Sequence, residues 1–182
     1  MRWELLFADL EALADATERA AFDADVADRA RSERAQLVLA DRLRAHADAA
    51  APLGFWLADG GRLTARLLDV GADWVLLDDA GPVVLPLAAV TGVEGLTRAA
   101  AGDPGRLART ARLGLVLRRL ARDRTMVRVC TVDRASAVGT IDRVAADHLD
   151  LALHAQDEFR RAGAVRAVRV VPLTALVQVR AG

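Results

Sequence analysis

Apolar residues recur along this chain with two different periods. In residues 3–48 the spacing is helical: Trp3, Leu6, Phe7, Leu10 and Leu13 fall three and four apart, and the stripe resumes with Phe22, Val26 and Ala30, then Leu37, Ala40 and Leu43. This segment contains neither proline nor glycine and is rich in Ala, Leu, Glu and Arg, all compatible with helix. The thinning of the stripe after Thr17 predicts either a break near Phe22–Asp25, giving two antiparallel helices, or one long helix. Ala51-Pro52 stops it, because proline lacks the amide proton and disfavours helix at the preceding residue.

Short apolar runs separated by turn residues follow. Asp59-Gly60-Gly61 lies between two such runs and predicts a hairpin, with a second strand to Val70, a turn at Gly71-Ala72-Asp73 and a third strand at Trp74–Leu77. Asp78–Pro82 turns again before VVLPLAAV and Thr91–Leu96, which supply two short final strands. After the linker Thr97–Gly105, Arg106–Arg122 reads as a helix, with Leu113, Val116, Leu117 and Leu120 on one side and Arg118, Arg119 and Arg122 opposite. Met126–Val132 then starts another run of strands.

The two strand regions share a pattern. Residues 63–77 (LTARLLDVGADWVLL) superpose on residues 137–151 (AVGTIDRVAADHLDL), so that Leu67 meets Ile141, Val70 meets Val144 and Asp73 meets Asp147. A second block, residues 83–93, superposes on residues 169–179, with 12 extra residues in the preceding loop of the second region. Read as a duplication, this predicts an α+β fold: an N-terminal helical segment followed by two tandem small five-stranded SH3-like β-barrels, each preceded by a helix and each with its own core. The first barrel's helix is expected around Leu37–His46. The expected segments are 1–50 (helical), 51–97 (first barrel), 98–123 (linker and basic helix) and 124–182 (second barrel).

The apolar skeleton Gly139-Thr140-Ile141, Val144, Leu149 and Leu151, with Leu176 and Val179, resembles the two sequence blocks of the Sm-like (Hfq/LSm-type) small barrels. Ala65, Leu67, Val70, Val75, Leu77, Val90 and Val93 fit the same skeleton in the first region. The resemblance covers about residues 51–97 and 124–180 and implies a barrel that joins its neighbours by edge-strand pairing, hence a homo-oligomer. The family's uracil pocket is not carried over. Its Asp position holds Gly71 and Ala145, its Asn position Trp74 and His148, and its Arg-Gly position Pro86-Leu87 and Pro172-Leu173.

Strand alternation adds one contrast between the regions. If Val75 and Leu77 face inward, Trp74 and Leu76 face outward, where the second region has His148 and Asp150; likewise Leu68 matches Asp142 and Trp56 matches Cys130. An outer face bearing Trp56, Leu68, Trp74 and Leu76 needs cover, expected from the N-terminal stripe of Trp3, Leu6, Phe7 and Leu10 or from another subunit. These eight residues form the candidate interaction face.

Charge changes the picture in one respect. The net charge is zero, but residues 1–97 carry 9 Arg against 17 Asp and Glu, and the remainder carries 16 Arg against 8. The basic excess gathers around Arg106, Arg109, Arg112, Arg118, Arg119, Arg122, Arg124 and Arg128, and the inserted loop adds Arg160 and Arg161. These are the candidate nucleic-acid contacts, alternatively a solvated helix face or one paired to the acidic half. The chain has no tyrosine and few phenylalanines, which removes most base-stacking surface.

Catalytic chemistry finds no signal. There is no phosphate-binding loop or nucleophile elbow, and His46, His148 and His154 lack ligand spacing. Cys130, the single cysteine, reads as a buried small hydrophobe and fits a reducing compartment. No apolar run reaches 18 residues, and Glu4, Asp9 and Glu11 interrupt the start of the chain as no secretory signal would. The expectation is therefore a non-enzymatic cytoplasmic protein acting through protein or nucleic-acid contacts. No cofactor, metal, membrane or small-molecule substrate is expected.

Overall fold

The computed structural model describes residues 18–19, 21–29, 31–32, 35–47, 51–97, 99, 110–154 and 166–182. The chain divides into two compact units, Met1–Val38 and Leu39–Gly182. In the first, residues 21–29 are helical without interruption, so no break falls at Phe22–Asp25, and Phe22 and Val26 are exposed.

Among the described residues, the second unit shows two bounded helices and ten strands. They run α1 (Leu39–Ala47), β1 (Leu53–Leu57), β2 (Arg62–Val70), β3 (Trp74–Asp78), β4 (Pro82–Pro86), β5 (Val90–Glu94), α2 (Leu113–Arg122), β6 (Met126–Thr131), β7 (Ser136–Val144), β8 (His148–Leu153), β9 (Ala167–Pro172) and β10 (Leu176–Ala181). A short 3-10 turn links β4 to β5 (Leu87–Ala89) and β9 to β10 (Leu173–Ala175). Every strand lies where turn residues bracket an apolar run.

How the strands join corrects the sequence-based expectation. There are not two closed five-stranded barrels: all ten strands form one open antiparallel sheet, ordered β5-β1-β2-β3-β4-β10-β6-β7-β8-β9. The join is β4 against β10, with Val84 opposite Val179 and Val83 opposite Arg180. The two edges of the sheet are β5 and β9.

Nor does the sequence pattern divide the interior into two copies with separate cores. One cluster, around Leu43, Phe55, Leu67, Leu77 and Leu85, includes Val177 from β10. The other, around Leu117, Ile141, Leu149, Leu151 and Leu176, includes Trp74 and Val84 from β3 and β4. Each cluster thus takes side chains from across the β4·β10 seam. The physical reason is the edge strand: β4 and β10 would each leave a row of backbone donors and acceptors unpaired in a small isolated barrel, and pairing them satisfies both.

Trp74 is the clearest case. It was expected on an outer face covered by the N-terminal stripe or another subunit, but it is buried at 6% exposure among Leu113, Leu117 and Val129. Its indole Nε1 donates to the Ala111 carbonyl at 2.9 Å. Gly71 makes room for the ring, since a Cβ there would sit 2.1 Å from Nε1. The same turn fixes α2. Arg112 at the helix start provides no side-chain cap, and the Asp73 carboxylate accepts from Leu113 N–H at 2.7 Å instead, from 40 residues away. Ala72 N–H also donates to the Ala111 carbonyl, at 2.9 Å.

Local hydrogen bonds recur on the two sides of the seam. Leu87 N–H donates to the Asp73 carbonyl at 2.8 Å and Leu173 N–H to the Asp147 carbonyl at 2.7 Å. Ala58 N–H reaches Ala89 at 2.8 Å, and Val132 N–H reaches Ala175 at 3.0 Å. β3 and β4 therefore stand to each other as β8 and β9 do, and β1 to β5 as β6 to β10.

Candidate interaction edge

The sheet's two edges differ in what they expose. β9 shows Val168 at 57% and Val170 at 59% exposure, with Arg169 between them also exposed. Both valines sit on a strand with β8 on one side and no strand neighbour on the other among the described residues. Native edges are usually blunted by charge, proline or covering structure, so two bare β-branched residues on this one stand out.

Beside β9 is a groove of about 510 Å³, walled by Val129, Thr131, Ala137, Arg169, Val171 and Ala175 and closed at one end by the β6–β7 turn. Across the seam the corresponding space is filled. There Val177 of β10 is fully buried with Phe55, Leu57, Val83, Leu85 and Ala89. The groove at β9 is thus a slot of the kind a strand side chain occupies elsewhere in the same sheet.

Its polar rim is modest. Asp133 in the β6–β7 turn accepts from Thr131 Oγ1 at 2.5 Å and from Ala135 N–H at 3.2 Å. Those bonds, the Thr131 hydroxyl first, with a smaller contribution from the Arg169 charge, hold its carboxyl below the ordinary Asp range. In the β7–β8 turn, the Asp147 carboxyl is lowered chiefly by its 2.7 Å hydrogen bond to His148 Nδ1. Among the described residues no group of three or more His, Cys, Asp and Glu is placed to hold a metal ion. No helix among them is long and apolar enough to cross a membrane.

The candidate residues from the sequence are placed unevenly. Trp56 is exposed with the Arg62 guanidinium 5.0 Å from its ring centroid, and Leu68 is exposed on β2. Trp74 is buried at the seam, and half-buried Leu76 packs against the same cluster. Trp3, Leu6, Phe7 and Leu10 lie outside the described residues, as do Arg106, Arg109, Arg160 and Arg161. Arg112, Arg118, Arg119, Arg122, Arg124 and Arg128 are exposed. Arg119 and Arg122 each come within 3.9 Å of Asp123, so their charge is partly met locally, by weak surface pairs. His154 is buried against Thr140 Oγ1 at 2.8 Å and His46 against the Ala51 carbonyl at 3.1 Å. Cys130 is half-buried and accepts from Gln178 Nε2 at 3.4 Å.

The β9 edge itself was not singled out in the sequence. The run Val168-Arg169-Val170-Val171 reads as an ordinary core strand, and its exposure follows from the order of the strands in the sheet.

No family model matches this chain, and no curated protein or solved structure matches it either.

Proposed function

We propose that this protein is a non-enzymatic assembly module that works by strand addition: an extended segment pairs with the open edge of β9 and seats a side chain in the adjoining groove. The observation that carries the reading is the bare pair Val168 and Val170 beside an apolar slot. Strand addition gets its affinity from main-chain hydrogen bonds and its selectivity from pockets that take alternate side chains, and β9 with its groove offers both. The groove wall presents one carboxylate, one guanidinium and two hydroxyls amid valine, alanine and proline. That chemistry suits a strand better than a reacting small molecule.

The test uses a labelled peptide with the β10 sequence LVQVRA (residues 176–181), which occupies the corresponding slot across the seam. With the protein kept dilute, fluorescence anisotropy is expected to rise saturably. Val170→Lys is expected to weaken binding by about tenfold or more, a loss of about 1.4 kcal/mol. The absence of saturable binding to the unaltered protein would overturn the reading.

A further inference from the structure

Resting on that reading, we infer that the strand received by β9 is an acidic segment of another protein. It brings a valine-sized side chain for the groove and, three residues later, a carboxylate opposite Arg169.

The place of Arg169 in the sheet carries this. β9 pairs with β8 so that Arg169 lies opposite Leu151 and Val171 opposite Leu149. Directly opposite residues share a face, and Leu149 and Leu151 are fully buried, so Arg169 stands on the core-facing side of an edge strand. The residue that superposes on it in the first half is Val83, fully buried in β4. β4 has β10 beside it at that position, whereas on β9 a guanidinium lines the open groove instead. Among the described residues Arg169 makes no hydrogen bond or ion pair. Asp133, the carboxylate of the groove wall, is held in its own turn by Thr131 and Ala135. Asp150, opposite Val170, pairs with Arg143 at 3.2 Å. β9 carries no acidic residue, and Arg166, exposed just ahead of it, adds a second positive charge. An inward-pointing charge blunts an edge against indiscriminate pairing, so the strand admitted is one that answers the charge.

The β4·β10 pair sets the register. There Val179 lies opposite Val84 and Arg180 opposite Val83, while Val177 is buried in the first core cluster. On β9 the residue equivalent to Val177 enters the groove, that equivalent to Val179 meets Val170, and that equivalent to Arg180 faces Arg169. The chain's own strands answer these positions poorly. β10 is paired on both sides and would set Arg180 against Arg169. β5 offers Thr91 to an apolar slot and keeps Glu94 on Arg62 at 2.6 Å. A segment reading valine, any residue, an apolar residue, then Asp or Glu satisfies the slot and the charge together.

Anisotropy titrations of the dilute full chain test this with two labelled peptides, LVQVRA and its Arg180→Glu form, LVQVEA. The acidic peptide is expected to bind about fivefold or more tightly, because it places opposite rather than like charges across from Arg169. In the Arg169→Glu protein the order is expected to reverse, a result that misfolding does not produce. Arg166→Glu changes the net charge beside the strand equally and is expected to keep the order. Equal binding of the two peptides to the unaltered protein, or the same change of order in both variants, would overturn the inference. So would sedimentation showing that the unaltered chain self-associates and that Arg169→Glu abolishes it, since the occupant would then be a second copy. If LVQVRA binds saturably and LVQVEA binds no better, strand addition stands and the acidic partner alone falls; if neither binds, both fall.

Discussion

Trp74→Ala is expected to cost about 3–5 kcal/mol of stability, the range for removing a large aromatic side chain from a packed core. The residue is 6% exposed and its indole donates to Ala111 at the start of α2. Its ring is tied to both sides of the seam, since it belongs to β3 and packs in the cluster built mainly by β6–β10. Alanine leaves a cavity there and leaves the Ala111 carbonyl with one donor fewer, Ala72 N–H remaining. For a chain of this size each kcal/mol corresponds to roughly 2–4 °C, so the melting temperature is expected to fall by about 10 °C. Thermal melting followed by circular dichroism reads it. A change under about 1 kcal/mol, the usual result for a surface site, would mean that Trp74 lies on an open face.

Val177→Asp is expected to be at least as damaging, about 4 kcal/mol or more, through a different cause. Val177 is fully buried in the cluster of Phe55, Leu57, Val83 and Leu85, although it belongs to the last strand. A carboxylate placed there has no partner among those side chains and must either stay desolvated or take up a proton. The damage is predicted to reach the first half of the sheet, and quenching or shifts of the fluorescence of Trp56, on β1, would report it. Val177→Thr, which is smaller in its effect on volume and carries no charge, is expected to lose clearly less. Equal losses for the two would point to the backbone rather than to the burial of charge.

Much of the local structure was legible in the sequence. Asp59-Gly60-Gly61 marks the β1–β2 turn, where Gly60 adopts φ +81° and the Asp59 carboxylate accepts from Gly61 N–H at 2.8 Å. Leu113, Leu117 and Leu120 at helical spacing mark the buried side of α2. Alternation along β2 was clear enough to place Leu63, Ala65 and Leu67 inward. What could not be read was closure. The pattern of apolar residues within β4 and β10 is the same whether each strand ends a barrel or pairs with the other, because alternation reports which faces are buried and says nothing of the edge partner.

Trp74 shows the consequence. Its apolar character beside Leu76 correctly signals cover, but the cover comes from Leu113 and the strands of the other half, brought together by a pairing 95 positions apart in sequence (Val84 with Val179). The β9 edge was hidden for the same reason, since its exposure exists only once the strand order places it last. The solvated face of Arg118, Arg119 and Arg122 was legible, and the local pairing of Arg119 and Arg122 with Asp123 was not.

The account depends most on β4 and β10 being hydrogen-bonded neighbours within one chain. Native-state hydrogen exchange, read by NMR on the amides of Val83, Val84 and Leu85 and of residues 176–181, tests this directly. Both strands are predicted to exchange slowly and through the same cooperative opening as buried β3 and β6. Fast exchange along either strand, or two openings with different free energies for the halves on each side of Val84 and Val179, would contradict it.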